Sequence, residues 1–255
     1  MKKQNGTKRM SKWIYRILML IAGSVFLYSA YQLGTIFYAN HKESEEKEEL
    51  SHSAKTVKKG KEELITDVNF EELKAINPDI IAWIYIPGTD ISYAMVQGKD
   101  NSYYLNHTAA NQSNYAGAIF LDTAAASDFS NYNSFIYGHS MRHSTMFTDI
   151  KKFLDAEFAS KHTYVYILTP DKKYRCPIYS MYPTVSDSNS YQLGNTNEAT
   201  QASYLQMVKG LSVYDYGVEA APNEKLVTLS TCDFRKGVMG DERFLLHAIL
   251  REWSE

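Results

Sequence analysis

The sequence predicts a mainly β domain, a mostly antiparallel barrel or sandwich with inserted and N-terminal helices, standing behind one transmembrane helix. Three observations predict it. Eight short segments rich in β-branched and aromatic residues follow one another between Ile81 and Leu250, most of them bounded by Gly, Pro, Asn or Asp. Helical patterning interrupts them at only two places. No residue from Ile17 to Asn40 is charged.

The uncharged stretch has the length and apolarity to cross about 30 Å of hydrocarbon as a helix. Lys2, Lys3, Lys8, Arg9, Lys12 and Arg16 precede it, and a mixed, partly acidic segment follows. The positive-inside bias therefore makes residues 1–16 a cytoplasmic basic tail, 17–40 the anchor, and everything later extracellular at the cell membrane. A cleaved signal peptide is the competing reading; its apolar region is normally shorter and ends in a small-x-small site, which this stretch supplies poorly. A buried core helix would be shorter and amphipathic. Residues 41–66 are dense in Lys and Glu and almost free of large apolar side chains, so they read as a charged linker, either an extended spacer or a solvated helix held by i,i+4 pairs. The outer domain is expected over 67–255.

That domain opens on a helix-like FEELKAINPDI stopped at Asn77-Pro78, then IAWIYIPG, the first strand candidate. ISYAMVQ, AGAIFLD, NSFIYGH, TYVYIL, KYRCPIYSMYP, KLVTLSTC and RFLLHAIL follow. The two helical interruptions lie around MFTDIKKFLDAEFAS and over NEATQASYLQMVKG, which opens after Asn197 as a capped helix does and closes at Gly210. Tyrosine is abundant, 20 residues, as suits half-buried strands that favour rings with a polar tip. A formal net charge of −2 argues against nucleic acid, whose binding needs concentrated Lys and Arg to displace counterions.

Two cysteines are too few for a disulfide framework, and two free thiols are expected, although pairing is left open. Cys232 ends Leu226-Val-Thr-Leu-Ser-Thr-Cys, where period two puts Thr228, Ser230 and Cys232 on one polar face, and core filling explains a thiol there poorly. Cys176, inside a strand candidate, reads as an inert packed side chain. A reactive thiol needs a partner that ionises it and later protonates a leaving amine, which is a task for histidine. His41 and His52 fall in the linker, and His107, His143 and His162 in polar, loop-like surroundings. His139 follows a strand and Gly138, the placement of a site residue as much as of a surface one. Arg243 opens the last strand and shares a face with Leu245, His247 and Ile249; a guanidinium there wants an anionic or carbonyl partner, or pairs with Asp241 or Glu242. His247 lies about 13 Å further along that strand, too far to share a partner with Arg243.

TLSTC ending at Cys232, YGHSM around His139 and DERFLLHAIL around Arg243, in this chain order, resemble the sortases, and the resemblance runs from about Asn69 to Trp253. The helix candidate before the catalytic strand, together with VQGKDNSYYLNH and GAIFLD, is similar to class B. The resemblance implies an eight-stranded barrel and a cysteine transpeptidase, of the hydrolase/acyltransferase kind. It cleaves a C-terminal sorting signal of NPxTx or xPxTG type after Thr and joins the exported protein, through a thioester, to an amine of peptidoglycan or its lipid-linked precursor. It implies Cys232, His139 and Arg243 as catalytic residues and Asn101, Leu105, Tyr191 and Ser230 as substrate-binding ones. The loop Ser186 to Gln192 departs from the class B pattern. Neither a cofactor nor a metal is expected, since Asp122 or Asp128 alone makes a weak calcium site. The rival readings are a thiol protease or L,D-transpeptidase, whose Ser and Gly before the cysteine are absent here, and a non-catalytic surface-binding β-domain.

Overall fold

The computed structural model describes residues 12–59, 62–141, 145–232 and 240–253; for 56–59, 62–64 and 232 the description is of the backbone. Residues 1–11 of the expected basic tail, and His143, lie outside the described residues. The chain divides into two units, Met1–Lys42 and Glu43–Glu255. The described part of the first is helical and belongs to α1 (Lys12–Ser51), which is long and apolar enough to cross a membrane. Its large apolar side chains, Trp13, Leu20, Phe26 and Phe37 among them, are exposed.

In the second unit the elements run β1 (Ala54–Lys59), β2 (Glu62–Val68), α2 (Phe70–Ile76), β3 (Ile80–Tyr85), β4 (Ser92–Val96), β5 (Ile119–Leu121), β6 (Asn133–Tyr137), α3 (Ala156–Lys161), β7 (Tyr164–Leu168), β8 (Lys173–Val185), α4 (Glu198–Leu211), β9 (Leu226–Cys232) and β10 (Glu242–Ile249), with 3-10 turns at Tyr103–Leu105 and Thr148–Leu154. Strands β1 and β2 pair with each other. The other eight close a barrel in the order β10-β8-β7-β3-β4-β5-β6-β9, with β9 returning to β10. All eight strand segments expected from the sequence are in it. Its seams are antiparallel except β4–β5 and β6–β9, which are parallel. Parallel neighbours need long connections, and here the chain between β6 and β9 carries α3, β7, β8 and α4.

Alternation along each strand sends one set of side chains inward. Ile84, Met95, Ile136, Ile167, Met181, Leu229 and Leu246 fill the interior, joined by Phe147, Ile150 and Phe153 from the second 3-10 turn and its approach. The opposite faces are covered too. Phe70 and Leu73 of α2 pack with Ile80, Trp83 and Val96, while Tyr204, Leu205 and Val208 of α4 pack with Tyr182, Leu245 and Ile249. Asn197 caps α4 as the sequence predicts, accepting from the Thr200 N–H at 3.0 Å. The helix runs on past Gly210 to Leu211 and ends where Ser212 turns extended, instead of reversing at a left-handed glycine.

One expectation needs correction. The segment 41–66 is not a detached spacer. From Glu43 onward α1 belongs to the barrel's unit, and a hairpin follows it. The segment has no apolar core of its own, but borrows one. Leu50 is buried with Trp83 and Tyr104; the Glu46 carboxylate accepts from the Ala110 N–H at 3.0 Å; and Lys47 Nζ donates to the Asp90 carbonyl at 2.7 Å while lying 4.1 Å over the Tyr93 ring. The polar face of β9 is covered. Thr228 is fully buried beneath α4 and Ser230 nearly so.

Thr228 belongs to a buried relay whose direction can be read bond by bond. Tyr204 donates to the Ser190 carbonyl at 2.7 Å, Asn133 Nδ2 donates to the Tyr204 hydroxyl at 3.0 Å, and Thr228 donates to Asn133 Oδ1 at 2.7 Å. Thr228 has one proton and it is engaged, so His247 Nδ1, 2.8 Å away, must donate to it, and Nε2 then accepts from the Tyr182 hydroxyl at 3.0 Å. Burial pushes the His247 pKa down to about 3, which keeps the ring neutral, as this relay requires. The relay ends at the residue before Tyr191.

Candidate active site

The barrel topology brings distant positions to one rim. Strands β6 and β9 are parallel with Tyr137 beside Ser230, and the Gly138 N–H donates to the Ser230 carbonyl at 3.2 Å. His139 follows the C-terminal end of β6, just as Cys232 occupies that of β9. Strand β10 runs the other way, so its start lies at the same rim, and Arg243 stands directly opposite Cys232 in the register. The side chain of Cys232 lies outside the described residues.

A groove of about 400 Å³ opens there, lined by Asn101, Leu105, Tyr191, Ser230, His139 and Arg243, which are the remaining six residues expected at the site. Phe120, Tyr137, Gly138, Ser186 and Thr231 complete the lining. Tyr137 was readable by period two from His139. Ser186 and Tyr191 bring in the loop whose sequence departs from the class B pattern, and Tyr191 and Ser230 share a 2.8 Å hydroxyl hydrogen bond.

His139 is held on two sides. Its ring Nε2–H donates to the Leu105 carbonyl at 2.8 Å, and its own carbonyl accepts from the Phe147 N–H at 2.9 Å. A carbonyl can only accept, so Nε2 carries the proton, and in the neutral ring Nδ1 is the basic nitrogen. Gly138 is required by close approach: a Cβ there would lie 2.5 Å from Ile119 Cδ1 and 2.8 Å from the Phe147 ring. Arg243 is half-buried, its Nη1 donates to the Glu242 carbonyl at 2.9 Å, and its five-donor fork borders the groove. His247 pairs with Thr228 in the register, inside the relay and away from the rim. Cys176 is fully buried, and burial pushes its thiol up to about 12.

Behind the groove Asp122 is buried, 5% exposed, and fully engaged. Its Oδ1 accepts from the Ala124 N–H at 2.8 Å, and its Oδ2 from the Tyr137 hydroxyl at 2.9 Å and Asn101 Nδ2 at 3.1 Å. Burial and the adjacent Asp122 carboxylate both push the Tyr137 phenol upward, so it stays un-ionised. Among the described residues no group of three or more His, Cys, Asp or Glu is arranged to hold a metal ion.

Residues 84–251 match the Sortase domain family. Sortase B of Listeria monocytogenes is 32% identical over 234 residues, covering 89% of this chain and 93% of its own. Among solved structures, sortase B of Bacillus anthracis superposes with a TM-score of 0.73 at 28% identity, covering 85% of this chain and all of the other. A Staphylococcus aureus sortase B–substrate complex gives 0.68 at 30%, covering 72% and 85%. The chain belongs to the sortase family, the cysteine transpeptidases. Within that family its relatives and its barrel place it with class B.

Proposed function

We propose that the chain cleaves the C-terminal sorting signal of exported proteins, of NPxTx or xPxTG type, after Thr, and transfers the new carboxyl end to an amine of peptidoglycan or its lipid-linked precursor. Cys232 attacks the Thr carbonyl as a thiolate, and Arg243 donates hydrogen bonds to the oxygen that becomes negative. The C–N bond breaks as His139, protonated at Nδ1, hands that proton to the leaving amine, which leaves a thioester. The acceptor amine then adds to the thioester carbonyl, neutral His139 takes its proton, and the thiolate departs. Water in place of the amine gives hydrolysis.

The observation that most supports this reading is the register that sets Arg243 opposite Cys232, with His139 ending the neighbouring strand over the same groove. The groove suits an extended peptide: an apolar side in Phe120 and Leu105, and polar groups in Asn101, Tyr137, Ser230 and Tyr191. Residues 17–40 serve as a single-pass anchor with the basic N-terminus in the cytoplasm and the barrel outside.

The full chain in detergent micelles is assayed with fluorogenic sorting peptides, with and without oligoglycine or diaminopimelate as acceptor. Cys232→Ala and His139→Ala abolish turnover, and Arg243→Lys loses at least tenfold because a point charge replaces the planar fork. Undiminished cleavage by Cys232→Ala refutes the scheme. A rate and product indifferent to added amine reassigns the enzyme as a thiol protease.

A further inference from the structure

We infer that Asp122 is a positioning residue that fixes the hydrogen-bonding polarity of one wall of the groove, making Asn101 a donor and Tyr137 an acceptor toward the C=O and N–H that one extended residue of the substrate turns to the same side. The inference rests on the proposed peptide-binding role of the groove and adds to it a residue that does not line the groove.

The assignment follows from donors and acceptors alone. Asp122 has the geometry of a double acceptor at Oδ2, where Asn101 Nδ2 and the Tyr137 hydroxyl converge at 3.1 and 2.9 Å. Tyr137 has one proton, and the carboxylate takes it. What the phenol oxygen can still offer the groove is lone pairs. Asn101 is fixed at both ends: its Oδ1 accepts from the Thr123 N–H at 2.9 Å, so its amide cannot turn over without facing an N–H with an N–H. One Nδ2 hydrogen goes to Asp122, and the second is available to the exposed side, where Asn101 borders the groove. The wall therefore presents one N–H donor and one oxygen acceptor, the complement of the C=O and N–H that a single residue of an extended peptide directs to one side.

Asparagine at position 122 would reverse half of this. Its amide oxygen stays at the Oδ1 place, held by the Ala124 N–H, so its NH2 occupies the Oδ2 place. The Tyr137 proton, facing a donor, must swing away, and Tyr137 becomes a donor where it was an acceptor. A peptide N–H meeting it then loses its partner.

The test measures binding and turnover separately. Peptide affinity is read by fluorescence anisotropy on the full chain in micelles in the Cys232→Ala background, using a sorting-type peptide and a set in which each backbone amide in turn is an ester, which removes one N–H. One ester is expected to weaken binding about tenfold, equivalent to about 1.4 kcal/mol. In the Asp122→Asn protein the all-amide peptide binds about tenfold more weakly, and that same ester makes less than a twofold further difference. Tyr137→Phe, which leaves Asp122 in place, shows the same loss and the same insensitivity, and it carries the test if Asp122→Asn does not fold. If every ester weakens the parent and the variants alike, or if both variants bind as the parent does, the inference is overturned. Turnover by the Cys232-containing chain is measured alongside: its absence would sink the proposed reaction while leaving the binding comparison readable.

Discussion

Thr228→Val tests the buried relay. The replacement keeps the shape and removes one hydroxyl, and two buried groups lose their partner at once: Asn133 Oδ1, which Thr228 donates to at 2.7 Å, and His247 Nδ1–H, which donates to it at 2.8 Å. Both residues are fully buried, so water does not replace the lost bonds. Each unsatisfied group costs about 1–3 kcal/mol, and the pair about 2–6 kcal/mol. For a domain of this size that lowers the melting temperature by roughly 10 °C. Urea titration of the full chain in micelles, followed by the fluorescence of buried Trp83, reads the loss as a shifted midpoint with an unchanged slope. Thr228→Ser restores the hydroxyl and loses only a methyl, so it should recover most of the stability, staying within about 1 kcal/mol of the parent. If Val leaves the midpoint where it was, or Ser is as damaging as Val, the hydrogen-bond directions assigned to the relay are wrong.

Acid should destabilise the barrel earlier than its carboxylates require. The His247 pKa is about 3 folded and ordinary when unfolded, so its contribution is complete above about pH 6.5 and falls as pH drops toward 3. From pH 7 to 4 this one group removes about 3 kcal/mol, measured by urea midpoints across that range and flattened in His247→Gln. Gly138→Ala forces a Cβ against Ile119 and Phe147; about 1–3 kcal/mol of overpacking and a displaced His139 should lower turnover by at least tenfold, while Cys232 still reacts with iodoacetamide. Cys176, fully buried with its thiol pushed up to about 12, should resist iodoacetamide in the native chain and label only in denaturant, as mass spectrometry of the peptides would show.

What the sequence made legible follows from which contacts are local. Each barrel strand is a short β-branched or aromatic run closed by a turn residue, and those signals do not depend on the rest of the chain. The cap at Asn197 is equally local. The end of α1 and the β1–β2 hairpin were illegible because their burial is borrowed: Lys47 needs Tyr93 and Asp90, and Glu46 needs Ala110, and charge-rich composition does not show such distant partners. The same holds at the site. Cys232, His139 and Arg243 sit in motifs, whereas Asn101 and Leu105 emerged only through family likeness. Asp122 and Tyr137 are linked by the β5–β6 pairing, which sets Leu121 beside Ile136. Alternation puts Thr228 on a polar face of its strand; that α4 covers this face, with Tyr204 reached through Asn133, is a distant contact that alternation does not show.

Strand β10 pairs with both β8 and β9, so it is the stave that seals the barrel. Arg243 takes its seat opposite Cys232, and the groove acquires its last wall, only when this strand has docked on both neighbours. A barrel without this strand would keep the thiol but not its setting. The topology also makes folding depend on sequence-distant pairings, a slow, all-or-none closure in which no half-built barrel carries an operating site.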